Sequence, residues 1–292
     1  MNPNLSNLLT LLPKTFYRLF RTSCVVGLFL GIALSPGHSQ TLLTPDYVEN
    51  FDGESGLPAG WAAYGKSAAF VVEQNGDGQL DVNSKGATGN SGRGSAFFTG
   101  DSTIVDGIVE DAIIEVVLTP TTSTDWVGVV GRAQGSASFE PDGYYAMVNH
   151  GGKMGIWSKP PTGNGTGQTN PETNPNILGS TDISLQGNTP YRLILEMAGT
   201  QLTASLYGLD AVVGVDAPLA MVSVSDASYS SGVTGVSATF GNYGPTNGRS
   251  APYDSFSLTV IPEPSTAVLG ALALGIGFLV LRAGRRSGTV IG

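Results

Sequence analysis

A short stretch of the sequence, residues 144–159, combines aromatic rings with amide and charged side chains. Flat rings can stack on the C–H faces of sugars, and neighbouring polar groups can hydrogen-bond sugar hydroxyls. Trp61 and Trp126 are alternative stacking residues, and each of these rings can equally be a core residue. The stretch therefore predicts a carbohydrate-binding patch, with buried packing as the alternative, and its candidate residues are Tyr145, Asn149, His150, Lys153 and Trp157.

An acidic segment, EQNGDGQLDVNS at residues 73–84, imitates a calcium-binding loop. Asp77 and Asp81 occupy ligand positions of the twelve-residue EF-hand pattern, but Ser84 stands where that pattern needs a bidentate carboxylate. The flanking sequence is not helical. The alternative is a hairpin turn in which Asn-Gly and Asp-Gly supply positive φ angles.

The carboxylates of the segment VEDAIIEV do not form a good catalytic pair. A retaining glycosidase needs two carboxyl groups about 5–5.5 Å apart. Glu110 and Glu115 are an odd number of residues apart, so a regular strand points them to opposite faces. The sequence also lacks the G-x-S-x-G, Walker and HExxH motifs. We therefore predict a non-catalytic protein, with a polysaccharide-degrading glycosidase or lyase as an alternative.

The charge balance excludes one class of partner. The stretch 40–281 holds 8 Lys and Arg against 23 Asp and Glu, a balance of −15. Such a body repels phosphate backbones, so nucleic-acid binding is not expected. The single cysteine, Cys24, and the two histidines, His38 and His150, leave no thiolate or His-rich metal site.

Residues 1–39 have the features of a secretory signal peptide. A basic region ends at Arg21, an apolar core spans residues 24–34, and Gly37 and Ser39 are small residues suited to a cleavage site. The apolar core is too short for a spanning helix, which needs about 20 residues. We therefore expect export.

The C-terminal region, residues 261–292, has the features of a second targeting signal. A run of 15 residues from Ala267 to Leu281 would extend about 22 Å as a helix, which predicts a transmembrane helix at 266–281 with basic residues on the cytoplasmic side. Pro-Glu-Pro, an apolar helix and an arginine cluster, in this order, resemble the PEP-CTERM sorting signal. The resemblance implies recognition by an exosortase in a Gram-negative bacterium, through Pro262, Glu263, Pro264, Arg282, Arg285 and Arg286.

Residues 40–260 show short segments of alternating polarity bounded by Gly, Asn, Asp and Pro. Two pairs of them predict hairpins, 144–150 with 153–159 and 191–198 with 201–208. Further strands are predicted at 112–120, 125–133, 232–241 and 253–261, and a long Pro- and Gly-rich loop at 159–176 is either a surface insertion or a ligand loop. We predict an all-β fold, a two-sheet antiparallel β-sandwich.

The order of these segments resembles the concanavalin A-like superfamily, particularly LamG-type jelly rolls. The segments ENFDGESGLPAGWAAYG, GVVGRA, GYYAMVNHGGKMGIW, TPYRLILEMAGTQLTASLYG and YDSFSLTV fall in the expected sequence. The resemblance implies that the first and last strands lie together, where Asp52 and Asp254 would hold a structural Ca²⁺. The alternative is that both are surface carboxylates.

Together these features predict an exported, exosortase-sorted protein of the cell surface or extracellular matrix, membrane-anchored at least transiently. Its expected role is to bind carbohydrate or organise the matrix. The alternatives are the degrading enzyme and a purely structural biofilm-matrix protein.

Overall fold

The chain folds into two antiparallel β-sheets packed face to face. The computed structural model describes residues 44–53, 55–65, 71–83, 89–121, 125–134, 141–159, 176–243 and 249–262, which belong to one compact unit that begins at Thr44. The prediction of an all-β, two-sheet antiparallel sandwich is confirmed.

The first sheet has the strand order β14-β13-β12-β7-β16-β4-β3, with β1 paired to β16. Its strands are β1 (Tyr47–Glu49), β3 (Val71–Gln74), β4 (Leu80–Asn83), β7 (Ala112–Leu118), β12 (Tyr191–Ala198), β13 (Gln201–Gly208), β14 (Ala220–Ser225) and β16 (Ser250–Val260).

The second sheet has the order β11-β10-β9-β8-β15-β5-β2, with β6 paired to β15. Its strands are β2 (Trp61–Gly65), β5 (Gly89–Phe98), β6 (Ile108–Val109), β8 (Trp126–Ala133), β9 (Tyr144–Asn149), β10 (Lys153–Trp157), β11 (Ile177–Asp182) and β15 (Gly232–Tyr243).

The main core lies between the two sheets and follows from alternation along the strands. In β12, Leu193, Leu195 and Met197 are fully buried in this core, whereas Arg192 and Glu196 occupy the other face and are only half-buried. β7 alternates in the same way along its whole length. Burial of these apolar side chains is the main force that holds the sheets together.

Both predicted hairpins form, with one difference in loop length. β12 and β13 are joined by the two-residue turn Gly199-Thr200, as expected. β9 and β10 pair through Asn149 and Lys153, so their loop has three residues instead of the predicted two. The extra residue is His150, because the Asn149 side chain accepts a hydrogen bond from the Gly151 N–H and closes the turn one residue earlier.

The first and last strands are neighbours, as the resemblance implied. Tyr47 pairs with Leu258, and the Val260 N–H donates to the Asp46 carboxylate at 2.7 Å. Residues 71–83 form a hairpin of β3 and β4, with Gly76 and Gly78 at φ angles of 79° and 77°.

Several predicted features lie outside the described residues: the signal peptide at 1–39, the predicted transmembrane helix at 266–281 and residues 160–175 of the long loop. Within the described part of the chain, no helix has the length and apolar character needed to cross a membrane.

Candidate binding face of the second sheet

The second sheet has side chains on two faces, and the face turned away from the main core is called the outer face here. A separate cluster of buried apolar residues lies on it, distinct from the main core. Its members come from six strands: Phe97, Trp126, Val130, Ala133, Tyr145, Met147, Trp157, Ile177 and Val233. Antiparallel sheets commonly pack one face on the core and expose the other face to water. A sheet with buried apolar side chains on both faces is therefore unusual.

Strand register arranges the outer face into three rows that cross the strands. The aromatic row contains Phe97, Gly235, Val130, Tyr145, Trp157 and Ile177. The small-residue row contains Tyr64, Ser95, Ser237, Gly128, Met147, Gly155 and Ser180. The polar row contains Arg93, Thr239, Trp126, Asn149, Lys153 and Asp182.

The β9–β10 hairpin brings the predicted carbohydrate residues together. Tyr145 faces Trp157 across the hairpin, and Asn149 faces Lys153, so all four lie on the outer face. His150 is in the turn instead, where its ring lies next to Gly187. The hairpin alternation was readable from the sequence, which is why the grouping could be predicted.

The two aromatic rings of this group are not open platforms. Tyr145 and Trp157 are both 0% exposed. The Trp157 ring extends over Gly155, where a Cβ atom would lie 2.6 Å from it, and contacts Trp126 edge-on with 4.9 Å between ring centroids. These rings therefore present no exposed stacking face, and the alternative of buried packing describes both of them.

Polar groups at the end of the same row are accessible. Lys153 forms an ion pair with Asp182 on the neighbouring strand, with side chains 40% and 82% exposed. Asn149 is buried and its carbonyl oxygen is used by the Gly151 N–H. Of the five predicted residues, Lys153 is thus the one with an exposed and chemically available group on this face.

The middle of the polar row contains polar atoms that are buried. Thr239 and Trp126 are register partners on β15 and β8, and both are 0% exposed. Among the residues that the structure describes, the Thr239 hydroxyl and the Trp126 indole N–H have no hydrogen-bond partner. In the adjacent row, Ser95 and Ser237 satisfy each other at 2.9 Å.

Two carboxylates of the segment VEDAIIEV, Asp111 and Glu115, lie in ion pairs, whereas Glu110 is exposed. Asp111 accepts hydrogen bonds from buried Arg132 at 2.9 Å and from the Gly199 N–H at 2.9 Å. Glu115 lies 3.0 Å from Arg192 on the outward side of the first sheet. Burial raises the pKa of Glu115, and Arg192 partly offsets this. Neither carboxylate lies on the outer face of the second sheet.

The structure describes all four predicted calcium ligands. Asp77 is exposed at the tip of the β3–β4 hairpin, where its N–H donates to the Asn75 side chain. Asp81 accepts a hydrogen bond from Ser250 at 2.6 Å, and Asp254 accepts one from Gln79 at 2.6 Å. Asp52 is exposed. Among the described residues, no three His, Cys, Asp or Glu side chains gather into a group that could hold a metal ion.

The sequence interpretation missed the residues of β5 and β15 on this face, including Arg93, Ser95 and Thr239. The segment around β5, GNSGRGSAFF, is rich in Gly and Ser, which is typical of a loop. Alternation of Arg93, Ser95 and Phe97 was the available signal, since residues at this spacing share one face of a strand.

Comparisons with known proteins give distant structural likenesses. No protein-family model matches the sequence, and no curated protein matches it. Carbohydrate-binding module CBM66 from Bacillus subtilis has 14% identity and a TM-score of 0.42, with 68% of this chain and 95% of that chain covered. Lectin II from Ulex europaeus has 11% identity and a TM-score of 0.48, with 74% and 99% covered. The metal-free exoplasmic/lumenal domain of VIP36 has 10% identity and a TM-score of 0.47, with 76% and 94% covered.

Proposed function

We propose that this chain is an exported, exosortase-sorted surface or matrix protein of a Gram-negative bacterium. Its sandwich, of the concanavalin A-like jelly-roll type, is a non-catalytic module that binds extracellular polysaccharide or organises the matrix. The observation that carries the binding part is the outer face of the second sheet, where aromatic, hydroxyl, amide and charged groups lie in parallel rows across seven strands.

The dimensions of this face suit a polymer. Seven strands about 4.8 Å apart span roughly 29 Å, which is longer than a single sugar. Carbohydrate recognition uses a few polar groups on an apolar surface. The Lys153–Asp182 pair provides exposed donors and acceptors at one end of the polar row. The strongly acidic composition favours a neutral glycan over an acidic one.

The ion pairs of two carboxylates support the proposal that the module is non-catalytic. Asp111 and Glu115, from the segment closest to a glycosidase pattern, each lie beside an arginine. Their roles in ion pairs account for their presence without a reaction.

The sorting part of the proposal is supported by where the folded domain ends. The last backbone hydrogen bond of the domain within the described residues runs from the Ile261 N–H to the Asp111 carbonyl at 2.9 Å. Pro262 follows directly and is exposed. The first residue of the Pro-Glu-Pro motif is therefore accessible, as recognition by an enzyme requires, and proline disfavours helix in the residue before it.

The test is a pull-down of the purified full-length chain on exopolysaccharide, with a glycan array, in the presence and absence of Ca²⁺. We expect retention without release of reducing sugar. Lys153→Ala should weaken retention because it removes the exposed donor of the polar row. Lys159→Ala is the matched control, since Lys159 forms a comparable exposed pair with Asp142, with side chains 50% and 47% exposed, beyond the other end of β10.

Each contrary result points to a particular alternative. Release of reducing sugar would favour the degrading enzyme. Dependence of retention on Ca²⁺ would support a cation at Asp77 and Asp81 or at Asp52 and Asp254. Trp157→Ala is a poor test, because loss of a fully buried indole costs about 3–5 kcal/mol of stability and weakens the fold itself.

A second candidate, a purely structural matrix protein, is favoured by one observation. The Tyr145 and Trp157 rings are closed by packing and leave no free face for a sugar. This candidate predicts no retention on any glycan, together with incorporation of the chain into the matrix of intact cells.

A further inference from the structure

Exposed apolar side chains concentrate beside one edge of the first sheet. Eight large apolar side chains are exposed in the described part of the chain, and five of them lie between Leu209 and Met221. Leu219, directly before β14, is 56% exposed, and Met221 within β14 is 58% exposed. Single exposed apolar residues are ordinary, whereas a cluster of them marks an interaction surface.

Strand β14 is the last strand on its side of the first sheet. Within the described residues it pairs with β13 alone. The Asp226 N–H donates to the Thr200 carbonyl at 2.9 Å, and backbone groups alternate in direction along an antiparallel strand. The even-numbered residues of β14 therefore face β13. Met221, Ser223 and Ser225 direct their N–H and C=O groups to the open edge.

This edge lacks the features that keep most exposed strands from pairing. Natural edge strands are blunted by charged side chains, by proline or by bulges. Residues 219–225 contain no charged residue and no proline. The register of β14 with β13 also runs without a bulge. The edge is therefore a template on which another strand can form.

The sequence of the edge suits a second copy of the same strand. Two β14 strands that run antiparallel about a two-fold axis place Ser223 opposite its own copy and Met221 opposite Ser225 of the second copy. All three residues direct their backbone groups to the edge, so each pair exchanges two hydrogen bonds, about six in total. Val222 and Val224, which pack on the main core, face each other across the same axis and extend that core.

Charge also favours a second copy at this edge. The stretch 40–281 has a charge balance of −15, so two copies repel each other over most of their surface. Residues 217–225 are uncharged, and pairing there brings no like charges opposite each other. The flanking carboxylates of Asp216 and Asp226 accept hydrogen bonds within their own chain. A basic partner would instead be drawn to the acidic surface.

We propose that β14 is a dimer interface, at which two copies of this chain pair their β14 edges antiparallel and join their first sheets into one. This inference goes beyond the proposed glycan binding and does not depend on it. One strand pair is a small interface, so we expect dimerisation to depend on concentration. A dimer would present two outer faces of the second sheet to one polymer, which increases avidity.

A cysteine at the centre of the interface tests the pairing directly. The Cα atoms of a hydrogen-bonded antiparallel pair lie about 5.5 Å apart, close enough for a short bis-maleimide to join two cysteine sulfurs. In the purified full-length chain with Cys24→Ser, we expect Ser223→Cys to give a covalent dimer on a denaturing gel. Gln201→Cys is the matched control. Gln201 is also exposed, but it lies on β13, and its two copies would be about 20 Å apart.

A charge at the same position tests whether the edge holds the dimer. Ser223→Lys places two like charges opposite each other and should raise the dissociation constant of the dimer at least about tenfold in sedimentation experiments on the full-length chain in detergent. Gln201→Lys adds the same charge away from the axis and should leave that constant unchanged. Both variants should melt as the unchanged chain does, because both side chains are exposed.

Three results would overturn the proposal. The first is an unchanged chain that stays monomeric up to about 100 µM. The second is a dimer that Ser223→Lys leaves intact, which would place the contact elsewhere in the chain. The third is equal cross-linking of Ser223→Cys and Gln201→Cys. The glycan pull-down measures a separate property, so failure of the interface and failure of the proposed function are distinguishable.

Discussion

At the scale of single residues, Asp81 shows how burial turns a carboxylate into a pH-dependent element of stability. It lies on β4 and accepts a hydrogen bond from Ser250 at 2.6 Å and one from Asn83 at 3.3 Å. Burial raises the pKa of Asp81 above its ordinary value of 3.8, and these hydrogen bonds only partly offset the effect. The loss of hydration destabilises the charged carboxylate by more than the two hydrogen bonds stabilise it.

The direction of the pKa change fixes a prediction for Asp81→Asn. Because the folded chain binds this proton more tightly than the unfolded chain does, the group stabilises the fold fully below pH 3.8. That contribution is lost as the pH rises through the folded pKa. We expect the free energy of unfolding of Asp81→Asn to increase relative to that of the unchanged chain as the pH rises from about 3 to about 6.

Urea denaturation of both chains at several pH values measures this difference. A constant difference between Asp81→Asn and the unchanged chain over this range would contradict the role given to burial.

At the scale of elements, the close approach of β8 and β9 depends on a residue without a side chain. A Cβ atom on Gly128 would lie 2.0 Å from the Ala146 carbonyl oxygen and 2.8 Å from the Met147 Cα. Both neighbours are backbone atoms of a central strand, so they cannot move as the end of a flexible side chain can. Gly128→Ala should therefore destabilise the fold by about 3 kcal/mol or more.

Gly208 provides the comparison for this prediction. It ends β13, and a Cβ atom there would meet nothing within 4 Å. Gly208→Ala should change the free energy of unfolding by about 0.5 kcal/mol or less. Equal effects of the two substitutions in chemical denaturation would mean that the approach of β8 to β9 does not limit residue size.

The elements also show what the sequence could predict. β7, β12 and β13 alternate between apolar and polar residues, because one face meets the core and the other meets solvent. β8 and β9 were recognisable from their apolar character, although both of their faces are buried. β5 was not predicted, because its Gly and Ser residues resemble a loop and it becomes a central strand only through pairing with β15 and β2.

The candidate site was predictable to the same extent. The hairpin of β9 and β10 placed Tyr145, Asn149, Lys153 and Trp157 on one face, and local alternation contains that information. It does not contain the burial of the Trp157 ring, which depends on Trp126 from another strand.

At the scale of the whole molecule, the buried Arg132 lies at the end of the sandwich where the last strand ends. Arg132 donates to the carbonyls of Glu110, Gly199 and Tyr229 and pairs with Asp111. Asp111 also accepts from the Gly199 N–H, and its own carbonyl accepts from Ile261. Arg132 and Asp111 thereby link several loops at the point where the last strand ends. These hydrogen bonds are complete at Ile261, before the Pro-Glu-Pro segment begins.

This closure separates folding from sorting, which leads to a prediction for a chain that ends at Pro262. Such a chain keeps the Ile261–Asp111 and Val260–Asp46 hydrogen bonds, so its melting temperature should equal that of the unchanged chain. A chain that ends at Ser257 is the control. It loses buried Leu258 and the last pairs of β16 with β7, and it should melt at a lower temperature.

Under the proposed exosortase sorting, the chain that ends at Pro262 should be exported yet no longer held at the cell surface, which fractionation and surface labelling would detect. Normal surface retention of this stable, truncated chain would show that residues 263–292 are not the sorting signal.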